Sequence, residues 1–156
     1  MSRFDSFWEE GATSSSFALE VAGKTLGRFQ EVGGLSVSME VVDVVEGGQP
    51  SIRRLPGPIS WSNVTLKRGL TADNSLLEWM QEASAPGASR TLVYSDVAIV
   101  LFSSKQDRLR TWTLADAIPV RWGGPDFTLA SDDVLVEELE IAHSGFRVTN
   151  HGQGFR

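Results

Sequence analysis

The sequence predicts a mainly β protein, an antiparallel barrel or sandwich with one flanking α-helix. Two observations carry this prediction. Apolar and polar residues alternate along most segments of the chain, which is the pattern of half-buried strands. Only one segment, residues 75–85, has apolar residues at helical spacing. The 156 residues and 41% hydrophobic content fit a single domain with a substantial core.

The first three predicted strands cover residues 17–21, 25–32 and 35–45, with turn signals between them at Ala22-Gly23-Lys24 and Gly33-Gly34. Alternation in the third strand predicts two faces. Leu35, Val37, Met39 and Val41 share one face, and Ser36, Ser38 and Glu40 share the other. The pattern slips at Val41-Val42, which indicates a β-bulge or a stretch that is covered on both faces.

Residues 46–58 are predicted to form a long loop. They contain three prolines and three glycines, which argue against a central strand or a helix. Long loops in compact domains are commonly functional or mobile. The alternation resumes over residues 61–67 and ends at Gly69.

The predicted helix begins after Asp73 or Asn74, either of which can cap it, and ends before Pro86-Gly87. Its apolar face consists of Leu76, Leu77, Met80 and Ala83, with Trp79 beside them. Further strands are predicted at residues 90–103, 107–114, 117–121 and 134–143. We therefore divide the chain into an N-terminal arm (1–16), a β domain (17–148) and a loose C-terminal tail (149–156).

Composition excludes several classes of protein. The net charge of −6 argues against nucleic acid as the main ligand, and fits either simple solubility or a charged functional surface. The absence of cysteine excludes disulfides, thiol nucleophiles and cysteine zinc sites. No apolar run is long enough for a membrane-spanning helix, and the N-terminus lacks the pattern of a secretory signal. We expect synthesis and folding in the cytoplasm, and no membrane insertion by this chain.

No catalytic, cofactor or metal site emerges from the sequence. The only histidines are His143 and His151, and no nucleophile elbow or phosphate-binding loop is present. Asp132 and Asp133 lack the spaced oxygen ligands of a calcium loop. The carboxylates of Glu137-Glu138 are predicted to face opposite sides of a strand, so they cannot act together as acid and base. We expect a protein that is not an enzyme and binds no cofactor.

The order of these pieces resembles the tail tube family of contractile phages, which includes the inner tube proteins of R-type pyocins and extracellular contractile injection systems. The resemblance covers about residues 17–146. The segments that carry it are 29–35 (FQEVGGL), 46–48 (EGG), 55–58 (LPGP), 64–69 (VTLKRG), Trp79, 112–119 and 136–142 (VEELEIA). No single segment is specific, but the ordered series is.

The resemblance implies hexameric rings that stack into a hollow tube around a continuous inner barrel. A contractile sheath would surround the tube, and a baseplate hub or spike and a terminating cap would close its ends. The lumen would hold DNA or protein cargo. Such a particle would be assembled in the bacterial cytoplasm.

Within that arrangement, residues 46–58 are the candidate stacking loop, with Arg53 and Arg54 facing acidic residues of the next ring. The loop residues are Glu46, Gly47, Gly48, Arg53, Arg54, Leu55 and Pro56, and the candidate partners are Asp132 and Asp133. Ser36, Ser38 and Glu40 are the candidate lumen-facing residues, although they could equally face bulk solvent on a monomer. The aromatic residues of the arm either dock on a neighbouring subunit or pack on their own domain.

Two alternatives to a repeating tube subunit stay open. The chain could be a tube initiator that joins the tube to the baseplate spike, or a monomeric β-barrel that binds a ligand or protein. An enzyme with a novel site is a weaker third reading. The sequence does not distinguish a phage tail from a bacteriocin or an injection system.

Overall fold

The computed structural model describes residues 16–48, 50–85, 87, 95–125 and 135–151. The described strands are β1 (Ser16–Val21), β2 (Lys24–Phe29), β3 (Glu31–Gly33), β4 (Val37–Val45), β5 (Ile52–Trp61), β6 (Val64–Gly69), β7 (Ser95–Phe102), β8 (Arg108–Gly123), β9 (Val136–Ala142) and β10 (Phe146–Asn150). One described helix, α1 (Ser75–Ser84), lies between β6 and β7. All strand pairs are antiparallel. The predicted fold class is confirmed.

Two bent strands close the sheet into a barrel. The order of paired strands is β1-β7-β8-β9-β6-β3, and only Gln30 separates β3 from β2. Because β2 pairs with β1 while β3 pairs with β6, the pairing returns to the strand where it began. The Gln30 amide donates to the Lys67 carbonyl at 3.1 Å across this junction. Closure satisfies backbone groups that an open sheet would leave at its edges.

The second bent strand is β8, which pairs with β7 over its first part and with β9 over its second. The register with β7 shifts between Ser95 and Val97, where Asp116 of β8 has φ 49°. Aspartate tolerates this left-handed conformation better than most residues, and a bulge of this kind bends a strand. The sequence predicted two separate strands here because the bulge interrupts the alternation.

The barrel interior holds the main core, and α1 packs against β8 and β2. The core residues are Leu19, Val21, Phe29, Val64, Leu66, Leu76, Trp79, Val97, Ile99, Leu114, Ala117, Leu139 and Ile141. Trp79, expected beside the helix face, is instead one of its two buried residues, together with Leu76.

The start of α1 is held by Asp73. Its carboxylate accepts hydrogen bonds from the hydroxyl and the amide of Ser75, whereas Asn74 makes no side-chain cap. Hydrogen bonds from the Ser75 hydroxyl and the Ser75 amide lower the pKa of Asp73; burial opposes them, and the nearby Arg68 adds a lesser lowering effect. The charged carboxylate is therefore the form that the folded helix start favours.

A buried ion pair ties three strands and the helix start together. Arg68 Nε donates to Glu137 Oε2 at 2.9 Å, and the two side chains are 6% and 2% exposed. The other carboxylate oxygen accepts from Trp122 Nε1 at 2.7 Å. Arg68 also donates to the Asp73 carbonyl at 3.3 Å. Because a Cβ at Gly27 would lie 2.3 Å from Arg68 Nη1, glycine leaves the space that the guanidinium occupies.

The expected loop over residues 46–58 was wrong in part. A turn follows β4, but Ile52–Trp61 is a strand, β5, paired with β4. Within the described residues β5 is paired on one side only, so a proline whose missing N–H points away from β4 costs no ladder bond. The register shift between Met39 and Val41 accommodates Gly57 and Pro58. A bulge is therefore present close to the slip at Val41-Val42, but its extra residue lies in β5, opposite Glu40, and not in β4.

The domain boundaries remain predictions, since residues 1–15 and 152–156 lie outside the described residues. Where the structure describes the margins, β1 begins at Ser16 and β10 continues to Asn150. The described part of the chain contains no helix that is long and apolar enough to cross a membrane.

The buried ion pair gives the first testable prediction. We expect Arg68→Met to destabilise the fold by about 3 kcal/mol, because it leaves the Glu137 carboxylate buried without its cation. The double variant Arg68→Met/Glu137→Gln should recover at least half of that loss, since the amide needs no counter-charge and can still accept from Trp122. Urea unfolding followed by circular dichroism measures both. Losses that simply add in the double variant would contradict the coupling.

Candidate assembly surface

The β4–β5 ribbon is the outward continuation of a barrel pair. β3 pairs with β6, and β4–β5 follows in the same register without an insertion. The first part of this long ribbon lies in the barrel wall, where β6 also pairs with β9. From the pair Val37–Trp61 outward to the tip, the ribbon leaves the wall. β9, by contrast, continues into β10 along β8. The structure therefore forks between β5 and β10.

After the fork, β4, β5 and β10 each have one paired edge and one edge without a partner strand among the described residues. β4 and β5 are nine and ten residues long. A two-stranded ribbon is marginally stable in water on its own, and open edges favour pairing with another chain. The ribbon thus has the form of an element that is completed by a neighbour.

One face of the ribbon is apolar and uncovered. Directly opposed residues share a face, which places Met39 beside Ile59 and Val45 beside Ile52. The exposed apolar residues of this face are Val37 (52%), Met39 (51%), Val41 (55%), Val45 (72%), Ile52 (60%) and Ile59 (53%). The opposed Asp43 and Arg54 lie on the same face, between Val41 and Val45. Exposed apolar residues grouped in this way mark an interaction surface.

The opposite face is polar near the barrel. The hydroxyls of Ser36 and Ser62 lie 3.0 Å apart, and those of Ser38 and Ser60 lie 2.9 Å apart. Glu40 continues this row, as the alternation of the sequence predicted. The sequence placed Ser62 in the strand 61–67, but it did not show that Ser60 and Ser62 pair with Ser38 and Ser36, because residues up to 58 were expected to form a loop.

The tip of the ribbon carries the candidate stacking residues. Glu46, Gly47 and Gly48 form the turn after β4, with Gly48 at φ 88°. Arg53, Arg54, Leu55 and Pro56 lie in β5, where Leu55 and Pro56 oppose Val42 and Val41. Asp132 and Asp133 lie outside the described residues.

Each arginine of the tip already has a carboxylate partner in its own ribbon. Arg53 Nη1 lies 2.8 Å from Glu46 Oε1, and Arg54 Nε lies 3.5 Å from Asp43 Oδ1. All four side chains are at least half exposed. Exposed pairs contribute only about 0–1 kcal/mol, so the arginines can exchange partners at little cost. Asp43 was not predicted as a partner from the sequence; the strand pairing places it opposite Arg54.

The root of the ribbon is fixed to the barrel at the fork. The Trp61 and Phe146 rings meet edge to face at 5.0 Å, and His143 lies 6.0 Å from each. His143 Nε2 lies 2.8 Å from the Ser62 carbonyl, although 81 positions separate the two residues. Nothing local in the sequence links these residues.

Among the described residues, no group of three or more His, Asp or Glu is placed to hold a metal ion. The described histidines serve local hydrogen bonds instead, His143 at the fork and His151 with the Thr111 hydroxyl at 2.8 Å.

The bulge of the ribbon gives the second prediction. A Cβ at Gly57 would lie 2.8 Å from the Glu40 carbonyl oxygen, whereas one at Gly47 would meet nothing within 4 Å. We expect Gly57→Ala to weaken the ribbon by about 1–3 kcal/mol through overpacking. Hydrogen exchange of the β4–β5 amides should then rise, while Gly47→Ala should leave it unchanged. Equal exchange in the two variants would show that the bulge tolerates a side chain.

Comparison with known proteins gives a consistent result. Residues 13–147 match the family described as T4-like virus tail tube protein gp19. A search of curated protein sequences found no significant match.

Three solved structures are similar over most of their length. A chain of the PVC sheath-tube complex in the extended state, from an extracellular contractile injection system, gives a TM-score of 0.72 at 22% identity and covers 86% of this chain and 88% of its own. A chain of the anti-feeding prophage tube-terminating cap gives 0.72 at 18% identity, with the same coverage of 86% and 88%. A chain of the six-fold symmetrised anti-feeding prophage baseplate gives 0.67 at 25% identity, covering 87% and 92%.

The family match spans most of the chain, and the similar solved chains have the same fold. The forked barrel with an uncovered ribbon therefore belongs to the T4-like tail tube protein gp19 family.

Proposed function

We propose that this chain is the repeating structural subunit of the inner tube of a contractile particle, in which hexameric rings stack around a continuous inner barrel. One observation carries the proposal: the β4–β5 ribbon leaves a closed barrel with its apolar face more than half exposed and, among the described residues, with no strand on its outer edges. Membership of the tail tube family supports it. The role is structural rather than catalytic.

A neighbouring copy supplies what the ribbon lacks. Its strands extend the ladder on the open edges of the fork, and its surface covers the apolar face. Burying the exposed half of each apolar side chain contributes about 1 kcal/mol, hence on the order of 5 kcal/mol for one ribbon before the entropic cost of association. The repetition of this contact in every subunit makes the assembly stable.

The serine face of the ribbon then lines the channel. Two pairs of serine hydroxyls, Ser36–Ser62 and Ser38–Ser60, form this face, and Glu40 continues the row toward the tip. Near the barrel such a wall is polar, and toward the tip the same face carries the exposed pair Val42 and Leu55. It suits a conduit for protein cargo or DNA.

The tip of the ribbon is proposed to contact the next ring. In the isolated subunit Arg53 and Arg54 pair with Glu46 and Asp43. On stacking, the arginines exchange these exposed partners for acidic residues of the adjacent ring, for which Asp132 and Asp133 are the candidates. The surface proposed to contact the adjacent ring is completed by Glu46, Gly47, Gly48, Leu55 and Pro56.

The remaining partners are a contractile sheath around the tube, a baseplate hub or spike at one end and a terminating cap at the other. Similar chains occur in structures of a sheath-tube complex, a tube cap and a baseplate. Assembly is proposed to take place in the bacterial cytoplasm. The similarity to a baseplate chain at 25% identity also favours a second candidate, a tube initiator that joins the first ring to the spike.

The apolar face is tested by Met39→Ser/Ile59→Ser. These opposed side chains are about half exposed, so the folded barrel should lose no more than about 1 kcal/mol, whereas rings and tubes should disappear. Negative-stain microscopy and light scattering measure assembly. The matched control is Leu70→Ser/Val136→Ser, which alters two exposed apolar residues of the barrel (47% and 40%).

Three outcomes separate the candidate functions. Tubes of wild-type protein support the repeating subunit, and single rings that never elongate support the initiator. A wild-type chain that stays monomeric at high concentration would refute both and favour a monomeric binding module.

Stacking is tested by Arg53→Glu/Arg54→Glu. We expect folded subunits that form rings but do not elongate, because each ring now presents carboxylates where cations are needed. The control adds Asp43→Arg/Glu46→Arg, which restores both ion pairs within the ribbon with the two charges of each pair exchanged. Elongation rescued by this control would show that the arginines act only inside their own ribbon. Rescue by Asp132→Lys/Asp133→Lys would instead identify the partners across the ring interface.

A further inference from the structure

The barrel has two distinct ends. β10 continues the direction of β9 and ends opposite Arg110, beside the β7–β8 turn at residues 103–107. β5 and β6 are antiparallel to β9 and β10, so the ribbon extends from the fork toward the same end. We call this the ribbon end. The other end of β6, at Gly69, leads into α1, and we call it the helix end.

A guanidinium is held in a fixed position at the ribbon end. Arg28 Nη1 donates to Ser16 Oγ at 3.0 Å and to Gln106 Oε1 at 2.7 Å. The same guanidinium lies 4.8 Å from the centroid of the Phe102 ring, within the range of a cation–π contact. Both N–H groups of Nη1 are used, so the N–H groups of Nε and Nη2 remain for a carboxylate, which they can bind side-on.

Two further cations surround this position. Lys105 is exposed in the β7–β8 turn, and Arg108, which pairs with Glu20, follows it. Within the described residues neither Arg28 nor Lys105 forms an ion pair. We define Arg28, Lys105 and Arg108 as the cationic rim. Its cations outnumber the nearby carboxylates of Glu20 and Asp107, although the whole chain has a net charge of −6.

The helix end presents an acidic surface. Leu76 and Trp79 of α1 belong to the core inside the barrel, so α1 lies over this end and its opposite face points away from the barrel. That opposite face carries Glu78 and Glu82, which are both exposed. The two residues are one helical turn apart, and like charges at this spacing destabilise a helix.

The isolated subunit does not compensate for this charge. Glu82 lies in the last turn of α1, which contains no basic residue, whereas the C-terminal end of a helix favours cations. In the part of the chain that the structure describes, neither Glu78 nor Glu82 forms an ion pair. Cations supplied from outside the subunit would relieve both unfavourable interactions.

We propose that the cationic rim of one copy binds the Glu78–Glu82 face of α1 in the copy of the next ring. The occupant is a second copy of this chain because the two surfaces have opposite charge and lie on opposite ends of the same subunit. Head-to-tail stacking brings the ribbon end of each ring against the helix end of the next. The contact gives the stack a single polarity, since each junction joins a rim to a helix.

This contact is separate from the one proposed for the ribbon tip. The rim is carried by β2 and by the turn between β7 and β8, whereas the ribbon extends from β3 and β6. The proposal rests on the proposed function for the stacking of rings. It adds the residues that join two rings at a second place, away from Arg53 and Arg54.

Two charge-reversed proteins test the contact. The helix variant is Glu78→Lys/Glu82→Lys, and the rim variant is Arg28→Glu/Lys105→Glu. Each alone places like charges against each other at every ring junction, so we expect rings that elongate about tenfold or more slowly than wild-type rings. Light scattering measures elongation, negative-stain microscopy distinguishes rings from tubes, and circular dichroism checks the fold.

A mixture of the two variants gives the decisive measurement. Rings of the helix variant keep a cationic rim and have a cationic helix face, while rings of the rim variant are acidic at both places. Preformed rings of the two kinds should therefore stack alternately, and the equal mixture should form tubes although neither variant does so alone. A chain with all four substitutions should also elongate, and its net charge stays at −6 because the two pairs of reversals cancel.

A second rim variant guards against a local loss of structure. Ser104→Glu/Lys105→Glu alters two exposed residues of the turn and leaves Arg28 with its contacts. It should fail to elongate alone and form tubes with the helix variant. As a matched control, the tip variant Arg53→Glu/Arg54→Glu should not be rescued by the helix variant, because its charges lie on the ribbon.

The results separate this contact from the proposed function. Wild-type tubes together with helix and rim variants that elongate equally fast would overturn the contact and leave the tube subunit in place. Mixtures that stay as single rings with both rim variants would also overturn the contact. A wild-type chain that never forms rings would refute the proposed function, and the contact with it.

Discussion

Backbone hydrogen bonding at strand edges is the constraint on which the rest of this structure depends. The strands of the barrel satisfy their edges within the chain, because the bent β2–β3 and β8 bring the first and last members of the ladder together. The same ladder continues outward into β4–β5, where the described residues supply no further strand. The open edges of β4 and β5 are therefore available for pairing with the strands of another copy.

The open half is nevertheless well oriented. The aromatic contact between Trp61 and Phe146 and the hydrogen bond between His143 and the Ser62 carbonyl fix its root. The Arg68–Glu137 pair joins β6 to β9 at the other end of their pairing. Rigidity matters because a partner then pays little ordering entropy when it binds. The charged side chains at the ribbon tip, by contrast, are joined to each other only by exposed ion pairs, so they can exchange partners.

Much of the candidate site could be predicted from single-strand patterns. Ser36, Ser38 and Glu40 share the polar face because side chains alternate along any strand, whatever it pairs with. The segment from Ile52 to Trp61 could not be recognised in the same way, since its prolines are acceptable only in a strand with a free side. The partners of Arg53 and Arg54 follow from the register of that strand, so they were missed with it.

The sequence by itself determined the β class, the position of the helix and the residues that share a face, because alternation and helical spacing are local properties of the backbone. Only the tertiary structure decided that the barrel closes, that Asp116 bends β8, and that His143 stands at the fork beside Ser62. These features join residues that are far apart in the chain. Their pairing depends on register and close packing between distant segments, which no local pattern encodes.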